Sequence, residues 1–262
     1  MLRIIDARTG EPVEAAPVRR GLTRVEARAT GPDLTSLRVL LVADLLVRAL
    51  ELGGTPVWAV LAGPSEETRL RSAAAALGVR PFEDGRDVGA GLGEAQILHV
   101  AADGTDIRES GIPAGTASGG VRVAVAPVRE DSPGTGALLG PGPAPGSGDD
   151  PAVLRLALLA GPRGVPLRLD RAGLAEARET LARWRGAVAG WARRPSRPVP
   201  AEVRRSLRDA WEDDLDVPAV LEVLRQVERA GPEVADGARF ETYAYADRLL
   251  GLELTRDLGA PA

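Results

Sequence analysis

Residues 34–64 read LTSLRVLLVADLLVRALELGGTPVWAVLAGP, and the two textures inside this stretch decide the fold. From Leu34 to Leu52 apolar side chains fall at nearly every turn, with Leu37, Leu40, Leu41, Leu45 and Leu50 among them, the pattern of a largely buried helix. Gly53-Gly54 stops it. Val57 to Ala62 is then a continuous apolar run closed by Gly63-Pro64, the mark of a strand buried on both faces.

Working outward, Leu2–Asp6, Gln96–Ala101 and Val121–Ala126 read as further strands. Ser65 is placed to cap a helix from Glu66 to Leu77, whose first two acids suit its positive end. Strands alternating with helices argue for a parallel sheet. Gly89-Ala90-Gly91-Leu92-Gly93 lacks the spacing of a dinucleotide fingerprint and reads as a glycine-rich loop. Half of the residues from Arg129 to Gly148 are Gly or Pro, a composition that neither buries a core nor sustains a helix, so this tract reads as a linker. Beyond it the chain is helical: Asp150-Pro151 opens a helix through Ala160, followed by segments near Arg171–Trp191, Pro200–Trp211, Pro218–Arg229 and Ala238–Leu250. Leu174, Ala177, Leu181, Trp184, Val188 and Trp191 form one apolar stripe, the inward face of a bundle helix.

Composition excludes whole classes of chemistry. With 44% hydrophobic and 27% charged residues, the 262-residue chain is globular in type. Its net charge of -4 gives it no overall attraction to nucleic acid, so no DNA partner is expected and any polyanion site has to be local. No run approaches the roughly 18 apolar residues that span a bilayer, and Met1–Gly10 lacks a signal pattern; a cytoplasmic address without a membrane partner is the expectation. There is no Cys, hence no thiolate nucleophile and no cysteine zinc site. The only His is His99, read as a strand residue paired with backbone rather than a catalyst. No Lys occurs, so all 33 cations are Arg and neither a Schiff base nor a phosphate-cradling lysine can form. Asp213, Asp214 and Asp216 invite a metal assignment in isolation, but Asp216 lies just before Pro218 at a helix start, where a capping carboxylate belongs.

Two stretches resemble a known family. Leu2-Arg3-Ile4-Ile5-Asp6-Ala7-Arg8-Thr9-Gly10-Glu11, then Gly31-Pro32 and the Arg38-x5-Asp44-x-Leu46 helix, resemble the opening of cysteinyl-tRNA synthetases and of the mycothiol-pathway ligase that joins cysteine to a glucosaminyl-inositol. The segment from Asp150, and within it Trp211-Glu212-Asp213-Asp214-Leu215-Asp216-Val217-Pro218, resembles the helical bundle of the same class I enzymes. The resemblance implies a nucleotide-binding core, and it also exposes departures. Thr30 stands where the family has a zinc-ligand Cys. Asp33-Leu34-Thr35-Ser36-Leu37 replaces the histidine-bearing HIGH motif, and the Gly/Pro tract replaces the KMSKS loop. Each lost charge-stabilising group costs roughly a hundredfold to a thousandfold in rate, so efficient aminoacylation is not expected.

These readings combine into an α/β plus α protein: a shortened Rossmann-like parallel-sheet core over 1–148, ending in the linker at 129–148, followed by a helical bundle over 149–262. The expected function is that of a cysteinyl-tRNA synthetase-like paralogue without catalytic residues, lacking zinc, that binds a protein or a small adenosine-like ligand. Thr30, Gly31, Asp33, Thr35, Ser36 and Arg38 would line the remnant nucleotide end, with ATP an open question because nothing among them neutralises a triphosphate. Arg38 and Asp44 are equally read as pins for their helix. Two alternatives stay open. One is a divergent ATP-dependent ligase using Arg for Lys; the other is an RNA-binding module that would meet tRNA through Arg183, Arg193, Arg194, Arg197, Arg204 and Arg205, interleaved with Trp184 and Trp191.

Overall fold

The computed structural model describes residues 1–17, 21–62, 67–84, 94–105, 120–130 and 150–259. Gly89–Gly93, the Ser65 cap and most of the Gly/Pro tract lie outside them.

Strands β1 (Arg3–Ile5) and β2 (Pro12–Glu14) form an antiparallel hairpin apart from the main sheet. Then come β3 (Leu22–Arg28), α1 (Leu34–Leu52), β4 (Val57–Ala62), α2 (Glu67–Ala76), β5 (Glu83–Asp84), β6 (Glu94–Ala102) and β7 (Val121–Val125). The five main strands pair in parallel in the order β5-β4-β3-β6-β7, so the chain winds outward one way from β3 and returns to add β6 and β7 on its other side. That is the arrangement of a Rossmann-like core.

The central strand, β3, carries no buried-strand signature in the sequence. Leu22–Arg28 alternates, with Thr23, Val25 and Ala27 fully buried and Arg24, Glu26 and Arg28 between them. A parallel strand covered on both faces is normally apolar throughout, so this strand gives no such signal. Its apolar face joins Leu61, Leu98, Val100, Val123 and Val125 in one core with α1.

A second difference concerns the linker. Val128–Glu130 is strand β8, paired in parallel with β9 (Leu167–Leu169) from the second half of the chain, so Arg129 and Glu130 belong to a sheet rather than a linker. The helices follow the sequence closely: α3 (Pro151–Leu159), α4 (Arg171–Trp191), α5 (Ala201–Glu212), α6 (Val217–Arg229) and α7 (Asp236–Leu250), with a short 3-10 turn at Gly231–Glu233. Aspartates cap three of them, Asp150 accepting from Ala152 N at 2.9 Å, Asp170 from Gly173 N at 2.8 Å and Asp216 from Ala219 N at 3.0 Å. Trp184 and Trp191 both meet the Tyr243 ring edge-on, at 5.7 Å and 5.2 Å between centroids, in the bundle centre. No helix among the described residues is long and apolar enough to cross a membrane.

Charges deep inside α1 hold the parts together. The Asp44 side chain is fully buried and receives Arg155 of α3 at 2.8 Å, Arg48 at 2.9 Å and Arg80 at 3.1 Å. Arg155, equally buried, also donates to the carbonyls of Leu250 at the end of α7 and Leu77 after α2, at 2.6 Å and 3.0 Å. Burial opposes ionisation of Asp44, but the surrounding arginines overcome it and hold its carboxyl below the usual range.

Replacing Asp44 with Asn should cost about 3–5 kcal/mol in chemical denaturation, because the fully buried Arg155 and the largely buried Arg48 then lose their carboxylate partner, while Arg80 keeps Glu51. The carboxyl is held lower in the folded protein than the unfolded value of 3.8, so its contribution is present above that pH and fades as pH falls through the folded value. The acid-unfolding limb of the Asn variant should therefore be shallower than that of the parent.

Candidate functional site

In an open parallel sheet, ligands bind outside the carboxyl ends of the strands where the winding direction reverses. In this chain that point lies between β3 and β6, and the residues leaving β3 are Thr30, Gly31, Pro32 and Asp33, leading straight into α1. Thr30 and Asp33 are exposed, Gly31 and Thr35 half-buried, and Ser36 and Arg38 buried. The six residues assigned to a nucleotide end therefore occupy one segment at the crevice.

The side chains of Asp33, Thr35 and Arg38 are already engaged. The Asp33 carboxylate accepts from Ser36 N at 2.7 Å and so caps α1, occupying with its own charge the amide-rich end that would otherwise attract an anion. The Thr35 hydroxyl accepts from Val128 N at 3.1 Å, fastening the first residue of β8. Arg38 is 1% exposed and its guanidinium donates to four carbonyls: Ala126 and Val165 at 3.0 Å, Gly161 at 3.1 Å and Pro162 at 2.8 Å. Burial pulls that guanidinium down to about 10, which leaves it charged at neutral pH with carbonyl dipoles as its surroundings. Its contacts are those of a pin tying α1 to the segment between α3 and β9.

A comparable clasp, with no counterpart in the sequence reading, closes the other side of the same segment. Arg163 donates to Ala124 O at 2.6 Å and to Ile5 O at 3.3 Å, and pairs with Asp214. Asp214 in turn accepts from Ile5 N at 2.8 Å. Asp214 and Leu215 both take φ of 56°, the left-handed region, so the Asp213–Asp216 turn is held in a costly conformation to seat the bundle on the β1–β2 hairpin. This aspartate group thus builds a junction, and its carboxylates face protein donors.

His99 corrects another expectation. Its side chain, 8% exposed, lies beside a carboxylate rather than a backbone group, with Nδ1 3.5 Å from Glu26 Oε1 on the neighbouring strand. Glu26 also meets Arg28 at 2.8 Å and Arg24 at 3.5 Å. Burial of Glu26 is outweighed by His99 and the two arginines, and its carboxyl is lowered to about 2.

Of the arginines assigned to RNA, Arg183 pairs with Glu228 at 2.9 Å and Arg194 reaches Asp236 at 4.0 Å. Arg193, Arg197, Arg204, Arg205 and the neighbouring Arg208 are exposed and meet no acid among the described residues. Arg183 stands about 15 Å back along α4 from Arg193, at 1.5 Å per residue, so the group divides.

No protein-family model matches the chain. Its curated relatives share one name. A ligase of Streptomyces griseus named L-cysteine:1D-myo-inositol 2-amino-2-deoxy-alpha-D-glucopyranoside ligase is 40% identical over 113 residues, which is 41% of this chain and 26% of the ligase. The enzyme of that name from Geodermatophilus obscurus is 38% identical over 118 residues, 42% of this chain and 26% of the enzyme. The similarity is to cysteine ligases. It agrees with the ligase side of the resemblance drawn from the sequence, and the match spans about a quarter of each relative's length.

The cap gives a direct expectation. Asp33→Ala should lower stability by about 1 kcal/mol in urea unfolding, whereas Asp33→Ser or Asp33→Asn, which can still accept from Ser36 N, should stay within a few tenths of the parent.

Proposed function

We propose that this chain is a scaffold relative of the cysteine ligases that no longer activates an amino acid and acts as a binding or regulatory protein. The observation that carries this reading is the α1 amino end, where the Asp33 carboxylate occupies the place in which a synthetase-like core would receive phosphates. A triphosphate brought there would meet a like charge, while Arg38, the arginine assigned to this end, is buried among carbonyls. The composition points the same way: no Lys to meet a triphosphate, no Cys to hold a zinc ion, and the single His on a strand rather than at the helix start. A neutral adenosine-like ligand or a protein partner suits such an end better than ATP.

Amino-acid-dependent ATP–pyrophosphate exchange tests the reading. With each of the twenty amino acids, and with a glucosaminyl-inositol acceptor present, exchange should remain at background. Cysteine-dependent exchange above background would overturn it in favour of a divergent ATP-dependent ligase.

A second reading rests on the exposed arginines of the α4–α5 connection and α5. Arg193, Arg197, Arg204, Arg205 and Arg208 lie within sixteen residues that hold Glu202 as their only acid, and three prolines stiffen the connection. Gly237 packs so closely beneath it that an added Cβ would fall 1.9 Å from Pro195 O. The ridge itself, from Arg193 to Arg208, carries no exposed large apolar side chain, although Leu258 lines a pocket with Arg193 and Met1 meets Glu212 at the end of α5, so what it offers is mainly charge. That suits an RNA phosphate backbone. Filter retention of tRNA should then fall steeply with salt, and Arg204→Ala with Arg208→Ala should flatten the log–log slope by about 1.4–1.8. Absence of retention at low salt would dispose of this reading.

A further inference from the structure

The junction of α1, the end of α3 and the Asp213–Asp216 turn encloses a small cavity. Arg38, Val42 and Leu45, spaced four and three residues apart on one face of α1, form one wall. Leu158 of α3, Arg163 and Leu215 stand among the residues that close it, and no acid lines it. Its volume of about 10 Å³ is room for one water-sized sphere.

Two buried cations bound this space, Arg38 at 1% exposure and Arg163 at 8%. Arg163 has Asp214 as its counter-charge, yet its Nε is buried without a hydrogen-bond partner. Arg38 has no counter-charge. Its four bonds leave from the two terminal nitrogens and end on neutral carbonyls, and among the described residues no carboxylate pairs with it. Asp44, farther along α1, is committed to Arg48, Arg80 and Arg155. A buried ion without a partner and a buried N–H without an acceptor are both costly, and here they belong to the two arginines of one cavity.

The species that would answer both needs is narrowly defined. It accepts hydrogen bonds without donating any, because the remaining walls are hydrocarbon apart from Gly161, whose carbonyl already accepts from Arg38. A water there would point its own hydrogens at hydrocarbon. It is negative, to answer Arg38, and monatomic, since a carboxylate or phosphate exceeds the space. We propose that the cavity is a site for a halide ion, chloride under ordinary conditions, held by the Nε edges of Arg38 and Arg163. The ion ties α1 to the segment after α3, and through Arg163 to the Asp214 turn, so halide concentration sets how firmly the bundle is seated on the sheet. The site takes no part in amino-acid activation, and either result of the pyrophosphate exchange leaves it standing.

Crystals grown in sodium bromide without chloride test the site directly: an anomalous bromide peak should lie between Arg38 and Arg163. In solution, replacing gluconate with chloride at constant ionic strength should raise the thermal midpoint saturably. A fivefold gain in the folding equilibrium would read as about 2–4 °C. Val42→Ile adds one methylene to the cavity wall and touches no charge, so it should stay folded while losing both the bromide peak and the chloride response. The proposal falls if the parent shows no bromide peak, which would leave the cavity to water, or if folded Val42→Ile responds to chloride as the parent does. A peak without a response in solution marks an adventitious ion only and overturns it as well.

Discussion

Asp44 is a carboxylate with no access to water in the middle of α1, a helix buried at nearly every position, and the rest of the architecture is arranged so that it can remain ionised. A buried charge is tolerated only when its partners are complete, since the desolvation cost of each ion has to be met by good geometry and further hydrogen bonds. Its partners are drawn from separate parts of the chain: Arg48 one turn along α1, Arg80 before β5, and Arg155 from α3. Arg155 then extends the network to the ends of α2 and α7. Sheet and bundle are thereby registered against each other by directional contacts as well as by apolar packing. Arg38, two turns earlier, performs the same service with carbonyl partners.

Arginine suits this work. Its fork of donors satisfies several acceptors at fixed angles, and its charge survives burial that would neutralise a lysine. Arg38, Arg155, Arg163 and Arg185 each bind backbone carbonyls from segments far away in sequence. Arg185 holds the carbonyls of Leu252 and Glu253, while Asp247 receives the amides of Leu252 and Leu254 at 2.7 Å and 2.9 Å, so the stretch after α7 is gripped from both sides. A composition without lysine thus appears inside the molecule as a set of multi-acceptor ties.

How much of this could be read from the sequence depends on the range of the interaction concerned. Periodicity and caps are local, and they located α1, β4 and the five bundle helices within one or two residues. The aspartate caps at Asp150 and Asp216 were legible for the same reason. Strand β3 was not, because its polar alternate positions belong to the second face of the sheet, and a pattern that serves two environments matches neither template. With no signal for β3, the register that sets Glu26 beside His99 could not be inferred. Strand β8 was hidden differently: three residues at the edge of a Gly/Pro tract carry no periodic signal, and only the distant β9 gives them a partner. Of the candidate site, the position of Thr30–Asp33 at the crevice followed from the helix start. What Asp33 does there, accepting its own helix amide, depended on a rotamer that sequence does not specify.

The Asp33 cap also bears on how this chain could change over generations. The carboxylate that steadies α1 stands where an anionic ligand would have to enter, so stability and access at that end are set by one residue. A variant that clears the position gives up about 1 kcal/mol from a total that in domains of this kind is about 5–15 kcal/mol. It gains nothing until a compensating cation arises nearby, and a serine or asparagine cap is the only nearly neutral step between the two conditions. A route to anion binding at this helix end would therefore be narrow and ordered, which makes the capped state easier for drift to keep than to leave.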